Sequence, residues 1–176
     1  MRSTEIIGDL VRLRPIEARD ADGMFDLVSD AEAMRRIGVT ASLTRAAVAE
    51  WAGVVADADG RVDFAITAPG HDEYLGEAVL YDLDQDGRTA KLRILMRRTH
   101  RDERVEAEAA RLALTDAFDT WQLHRVSFEP LAIDGRALKL ARALGLREEG
   151  HLKESDRIND TWVDRVLFAA LESENR

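Results

Sequence analysis

A chain of 176 residues with 34 acidic and 25 basic side chains has a formal charge of -9, and it contains no cysteine. That balance repels a phosphate backbone at long range and argues against nucleic acid as the main partner. The missing thiols exclude disulfides and thiolate metal sites, and apolar runs as short as 79–81, 94–96 and 166–171 exclude a membrane-spanning helix. The first nine residues lack the charged start and apolar core of a signal peptide, so one domain over residues 1–176 in the cytoplasm is the expectation.

Val11 and Leu13 alternate with Arg12 and Arg14 before Pro15, the period of a half-buried first strand. Asp20 is suited to cap a helix carrying Met24, Phe25 and Val28 on one side, and a second helix is expected over 44–56. Period-2 alternation then runs through Val62, Phe64 and Ile66, through Leu75, Val79, Tyr81 and Leu83 after Pro69-Gly70, and through Ala90, Leu92, Ile94 and Met96 after Asp86-Gly87. Those turn residues tolerate positive φ, so the middle of the chain reads as an antiparallel meander. A long helix over 103–120 places Ala107, Ala110, Leu114, Ala117, Phe118 and Trp121 at spacings of three and four. After a strand with Val126 and Phe128, a short helix ends at Gly145, and two strands over 147–153 and 162–171 are joined by Asn159-Asp160. Trp51, Trp121 and Trp162 are expected in the core or in a pocket wall.

The order β-α-α-β-β-β-α-β-α-β-β is α+β around a mixed sheet, with a right-handed crossover if the fourth and fifth strands pair in parallel. That order, together with Val11-Arg12-Leu13-Arg14-Pro15, Ser29-Asp30-Ala31-Glu32-Ala33-Met34, Glu108-Ala109, Ala117-Phe118, Leu123-His124-Arg125-Val126, Arg136-Ala137 and Leu144-Gly145-Leu146-Arg147-Glu148-Glu149-Gly150, resembles the GCN5-related N-acetyltransferase (GNAT) superfamily. Within it the likeness is to the ribosomal-protein alanine acetylase-like branch, the RimJ/RimL type, and it covers nearly the whole chain. The resemblance implies a seven-stranded, mostly antiparallel sheet with four helices and a parallel splay between strands four and five. It also implies acetyl-CoA as co-substrate, an amine as acceptor and a possible homodimer.

In that family the pantetheine arm pairs with fourth-strand backbone, here Leu95 and Met96, and the pyrophosphate sits on the amides opening the next helix. Free N–H groups and the positive end of the helix dipole favour an anion there. The residues matching the family's Arg/Gln-x-x-Gly-x-Gly/Ala motif are Arg101-Asp102-Glu103-Arg104-Val105-Glu106, followed by Ala107. Only the leading arginine is retained. Arg104 and Glu106 replace the two motif glycine or alanine positions, Asp134 replaces a cofactor-binding asparagine beside Arg136, Ala141 stands where many members have a tyrosine acid, and Lys91 stands where a glutamate is frequent.

Asp102, Glu103 and Glu106 suit a helix that satisfies its own N-terminal donors, whereas Arg101 and Arg104 suit direct contact with phosphate. Amine acetylation needs a base for the ammonium proton and donors for an oxyanion, and Glu77 and His100 are the catalytic candidates, ahead of Ser127 and Tyr81. Four scattered histidines, His71, His100, His124 and His151, lack ligand spacing, and neither a Walker loop nor a Gly-x-Ser-x-Gly elbow occurs. Two readings follow: an N-acetyltransferase acting on a protein N-terminus or a small amine, or a non-catalytic GNAT-fold protein whose acetyl-CoA site has decayed into a binding surface.

Overall fold

Apolar and polar residues alternate along each central strand, and this alternation sorts the sheet into two covered faces. The computed structural model describes residues 4–37 and 43–174. Its strands are β1 (Ile6–Ile7), β2 (Arg12–Pro15), β3 (Arg61–Thr67), β4 (Gly76–Asp84), β5 (Thr89–Met96), β6 (Arg125–Phe128), β7 (Arg147–Ile158) and β8 (Thr161–Leu171). The helices are α1 (Ala21–Ser29), α2 (Ala31–Arg36), α3 (Arg45–Val54), α4 (Glu103–Asp119) and α5 (Gly135–Ala143). The strands lie in the order β1-β2-β3-β4-β5-β6-β8-β7, and among the described residues only β5 and β6 pair in parallel. The helix between those two strands is the expected crossover.

Phe64, Ala78, Leu80, Leu92 and Met96 meet Ala110, Leu114 and Phe118 of α4 and Leu140 of α5 in one apolar cluster. On the other face Ala65, Tyr74 and Leu95 pack with Met24, Leu27, Ala33, Val48 and Ala52 of the first three helices. Among the described residues no helix is long and apolar enough to cross a membrane.

The mixed α/β fold is as expected, with two elements beyond the expected seven strands and four helices. Strand β1 has two residues, too few for any period to register. Helix α2 separates from α1 because Asp30 leaves helical geometry at φ -76°, ψ 98° and its carboxylate accepts from Glu32 N and Ala33 N, opening a new helix. Thr44 caps α3 by accepting from Ala47 N.

Asp20 does not cap α1. It stands at that position, but its carboxylate takes a bidentate pair from the buried Arg14 and the N–H of Glu17. The positive φ values near the β4–β5 reversal fall not at Asp86-Gly87 but at Asp82, in the irregularity of β4 between Tyr81 and Asp84, and at Arg88, the last residue of the turn. A Cβ added at Gly87 would lie 2.5 Å from a carboxylate oxygen of Asp84, an exposed side chain that can turn aside. Asn159 and Asp160 both have positive φ and form the tight β7–β8 reversal. At the end of α5, Gly145 has φ +73°, with Leu146 N bonding Ala141 O and Gly145 N bonding Arg142 O, the Schellman arrangement. Trp51 and Trp162 are exposed by 38% and 57%, contrary to a core position, and neither lines the cleft described below.

Candidate functional site

Pairing between β5 and β6 stops early. The register covers Thr89, Ala90 and Lys91 opposite Arg125, Val126 and Ser127, after which β5 continues to Met96 while β6 ends at Phe128. From Leu92 onward β5 keeps β4 on one side, but no described strand pairs with its other edge. Backbone groups on such an edge need partners from water or a ligand. The divergence opens a cleft of about 370 Å³ floored by Leu92 to Met96 and walled by Phe128, Pro130, Ala137 and Leu140. Pro130, two residues past β6, cannot donate to a ladder and helps keep the strands apart.

Charged groups in the cleft lining are Lys91, Arg93, Arg101, Arg136 and Arg165 against Glu106, Glu129 and Asp134, five cations to three anions in a chain that is acidic as a whole. Each of these cations is paired with a carboxylate, Lys91 with Glu129, Arg93 with Glu77, Arg101 with Asp30, Arg136 with Glu106 and Arg165 with Asp156, so an anionic ligand would have to compete with a carboxylate for any of them. The strand end of the cleft suits an extended, hydrogen-bonding arm such as pantetheine.

The helix end is built differently. Asp102 caps α4, its carboxylate accepting from Arg104 N at 2.8 Å and Val105 N at 3.3 Å, so donors that would serve a phosphate are already satisfied. These bonds hold the Asp102 carboxyl below its ordinary pKa. Asp134 caps α5 by accepting from Ala137 N. Glu106 is only 8% exposed, and Arg136 Nε lies 3.1 and 2.8 Å from its two carboxylate oxygens. Hydrogen bonding to Glu106 raises the Arg136 pKa. Arg136 Nη2 also lies 2.8 Å from Glu106 Oε1, but without hydrogen-bond alignment, so a buried donor stays unsatisfied.

Arg101 is turned to α2, donating to Asp30 at 2.7 Å with Glu32 at 3.6 Å. Arg104 is exposed on the flank of α4; it and Ala107 line a neighbouring recess, while Val105 lines neither. The structure thus brings Leu95, Met96, Arg101, Glu106, Asp134 and Arg136 to one cleft.

Neither Glu77 nor His100 lines it. Glu77 is not a solvated strand residue: it is 8% exposed, accepting from the Tyr74 hydroxyl at 3.1 Å and Arg93 Nη2 at 3.0 Å. Burial and the Glu77 charge push the Tyr74 phenol pKa well up. The His100 ring faces Thr99 Oγ at 2.9 Å and Glu73 at 3.5 Å.

Polar groups that do line the cleft are Tyr81, Lys91, Arg93, Glu129 and Arg165. Glu129 accepts from Ser127 Oγ at 3.2 Å and lies 3.4 Å from Lys91 Nζ. Burial pulls the Lys91 pKa down, but Glu129, with Tyr81 and Asp82, together leave it raised. Burial, followed by Glu129, raises the Tyr81 phenol. Arg165 is held by Asp156 at 2.7 and 2.6 Å and donates to Glu129 O. Glu129 was findable in the sequence as the carboxylate between the last β6 residue and Pro130. Arg165 carries no such signal, because β8 reaches the cleft only through the sheet order. Among the described residues no group of three or more histidine, aspartate or glutamate side chains is disposed to hold a metal.

The family model described as acetyltransferase (GNAT) domain matches residues 11–147, which include the splay, α4 and α5. The chain is 23% identical over 173 residues to "Probable N-acetyltransferase YjcK" of Bacillus subtilis (strain 168), covering 93% of this chain and 95% of that protein. A crystal structure of spermidine N-acetyltransferase from Vibrio cholerae in complex with CoA and spermine superposes with a TM-score of 0.87 at 20% identity, covering 96% of this chain and 99% of that one. An acetyltransferase (GNAT family) from Bacillus anthracis superposes at 0.85 and 20% identity, over 97% and 100% of the two chains. Enzymes of this family draw their acetyl group from acetyl-CoA. With a family match over most of its length and a splayed β5–β6 pair at the centre of that match, the chain belongs to the GNAT acetyltransferase family.

Proposed function

We propose that this chain is an N-acetyltransferase moving an acetyl group from acetyl-CoA to an amine, either a protein N-terminus or a small amine. The observation that carries this reading is the open β5 edge from Leu92 to Met96 within a cation-rich cleft. Acetyl-CoA would supply the activated acyl group. Leu95 and Met96 backbone hold its arm, and Arg101 and Arg136, both in the cleft lining, are the cations disposed toward its phosphates. Glu129 is the carboxylate suited to take the amine's proton, since it lines the cleft and is oriented by Ser127 and Lys91. Glu77 acts one step back by holding Arg93 against the cleft wall. His100 has no role in this reading.

The motifs quoted above favour the ribosomal-protein alanine acetylase-like branch, with a degenerate pyrophosphate motif. Two apolar clusters on opposite faces of one sheet favour a single domain over residues 1–176. A second reading, a GNAT-fold binding protein that no longer takes the co-substrate, is favoured by the Asp102 cap together with the Glu106–Arg136 pair.

Calorimetric titration of acetyl-CoA and CoA decides between them. Micromolar binding, followed by loss of turnover without loss of binding in Glu129→Gln, is the expected result. Absence of binding at millimolar co-substrate would transfer the conclusion to the second reading.

A further inference from the structure

Two recesses meet at one ion pair. The cleft and a second recess of about 470 Å³ between α4 and α5 share Glu106, Arg136 and Leu140 in their walls. The second recess is lined along α4 by Arg104, Ala107, Glu108 and Arg111, the i, i+3, i+4, i+7 stripe of one helix face. Arg104 and Arg111 are exposed and make no ion pair within 4 Å among the described residues, while Lys139 opposite is held by Glu103. Next to them Arg136 Nη2 is buried and unsatisfied, 2.8 Å from Glu106 Oε1 but out of line with it.

We propose that the Glu106–Arg136 pair is a displaceable partition, and that a ligand carrying a diphosphate and a separate phosphate monoester binds across it. Arg136 exchanges the Glu106 carboxylate for the diphosphate, and Arg104 with Arg111 takes the monoester. This is the phosphate pattern of coenzyme A, so the proposal rests on the acetyl-CoA reading and adds to it how arginine side chains accept phosphates where Asp102 already holds the Arg104 and Val105 amides.

The physical grounds are charge and geometry. A guanidinium fork accepts carboxylate and phosphate oxygens alike, so Glu106 is an internal competitor for any anion. A ligand that binds only the opened state has its affinity reduced by the open fraction. A phosphate oxygen would also satisfy the Nη2 donor that Glu106 leaves unmet. Glutamine at position 106 keeps the shape and removes the competing charge.

The test is calorimetric titration of the full chain with CoA and with dephospho-CoA, which lacks the monoester. Glu106→Gln should tighten both ligands at least about tenfold, a shift of about 1.4 kcal/mol. The double variant R104A/R111A should weaken CoA about tenfold and leave dephospho-CoA within about twofold. Wild-type protein, whose folding is not at issue, should itself bind dephospho-CoA about tenfold more weakly than CoA. Tight wild-type binding that E106Q does not improve, or an arginine effect equal for both ligands, overturns the partition and leaves the acetyl-CoA reading standing. Failure of both wild type and E106Q to bind either ligand at millimolar concentration removes that reading and the partition with it.

Discussion

The two ends of the cleft solve opposite problems. At the strand end, β5 leaves β6 after Lys91 and presents a backbone edge that no described strand completes. At the helix end, Asp102 accepts from the Arg104 and Val105 amides of α4, Asp134 accepts from the Ala137 amide of α5, and Glu106 adds a carboxylate that Arg136 neutralises. One end needs a partner and the other already has one. The acidic residues at the helix end form caps and an ion pair, each with its own physical reason.

Breaking the strand end should have the largest effect. Gly76 lies opposite Met96, and a Cβ there would sit 2.2 Å from Leu95 O and 2.8 Å from Met96 S. Backbone cannot yield as a flexible side chain can, so Gly76→Val should cost about 3 kcal/mol or prevent folding, read by chemical denaturation. A fully stable variant would mean that the splay tolerates repositioning.

Next comes the ion pair. Arg136→Ala leaves Glu106 buried without a cation, and because the Arg136 side chain is 26% exposed the cost should be about 2 kcal/mol, below that of a fully enclosed pair. Adding Glu106→Ala should restore most of it, and additive losses in the double-mutant cycle would show that the two residues do not act as a unit.

Asp102→Ala should be milder, lowering the melting temperature at neutral pH through loss of the cap. The folded pKa of Asp102 lies below its ordinary 3.8 because Arg104 N and Val105 N bond the carboxylate. Its contribution is therefore present above that value and lost as pH falls through the lower folded one. Melting curves of wild type and variant should converge below pH 3.8, and a gap that persists there would assign the effect to something other than the charged cap.

The smallest effect is expected for His100→Ala. Its ring faces Thr99 and Glu73 outside the cleft, so stability should change by no more than about 0.5 kcal/mol and kcat/KM by no more than about twofold. A hundredfold loss of turnover would instead return His100 to the catalytic machinery.

Sequence alone determined what depends on near neighbours along the chain. The meander's alternation, the α4 stripe, the Asn159-Asp160 reversal and the Gly145 stop all follow from side-chain period and allowed φ, which a string of residues displays directly. Self-capping of α4 is one of two readings open in the sequence; Asp102 caps the helix, whereas Glu103 and Glu106 pair with Lys139 and Arg136. Tertiary structure decided what depends on residues far apart in the chain. Glu106 meets Arg136 thirty residues on, Asp20 is taken by Arg14 and does not cap α1, and Glu77 is drawn inward by Tyr74 and Arg93. A carboxylate's role follows from the cation that burial places beside it, and that pairing is fixed by how helices and strands pack, not by local sequence.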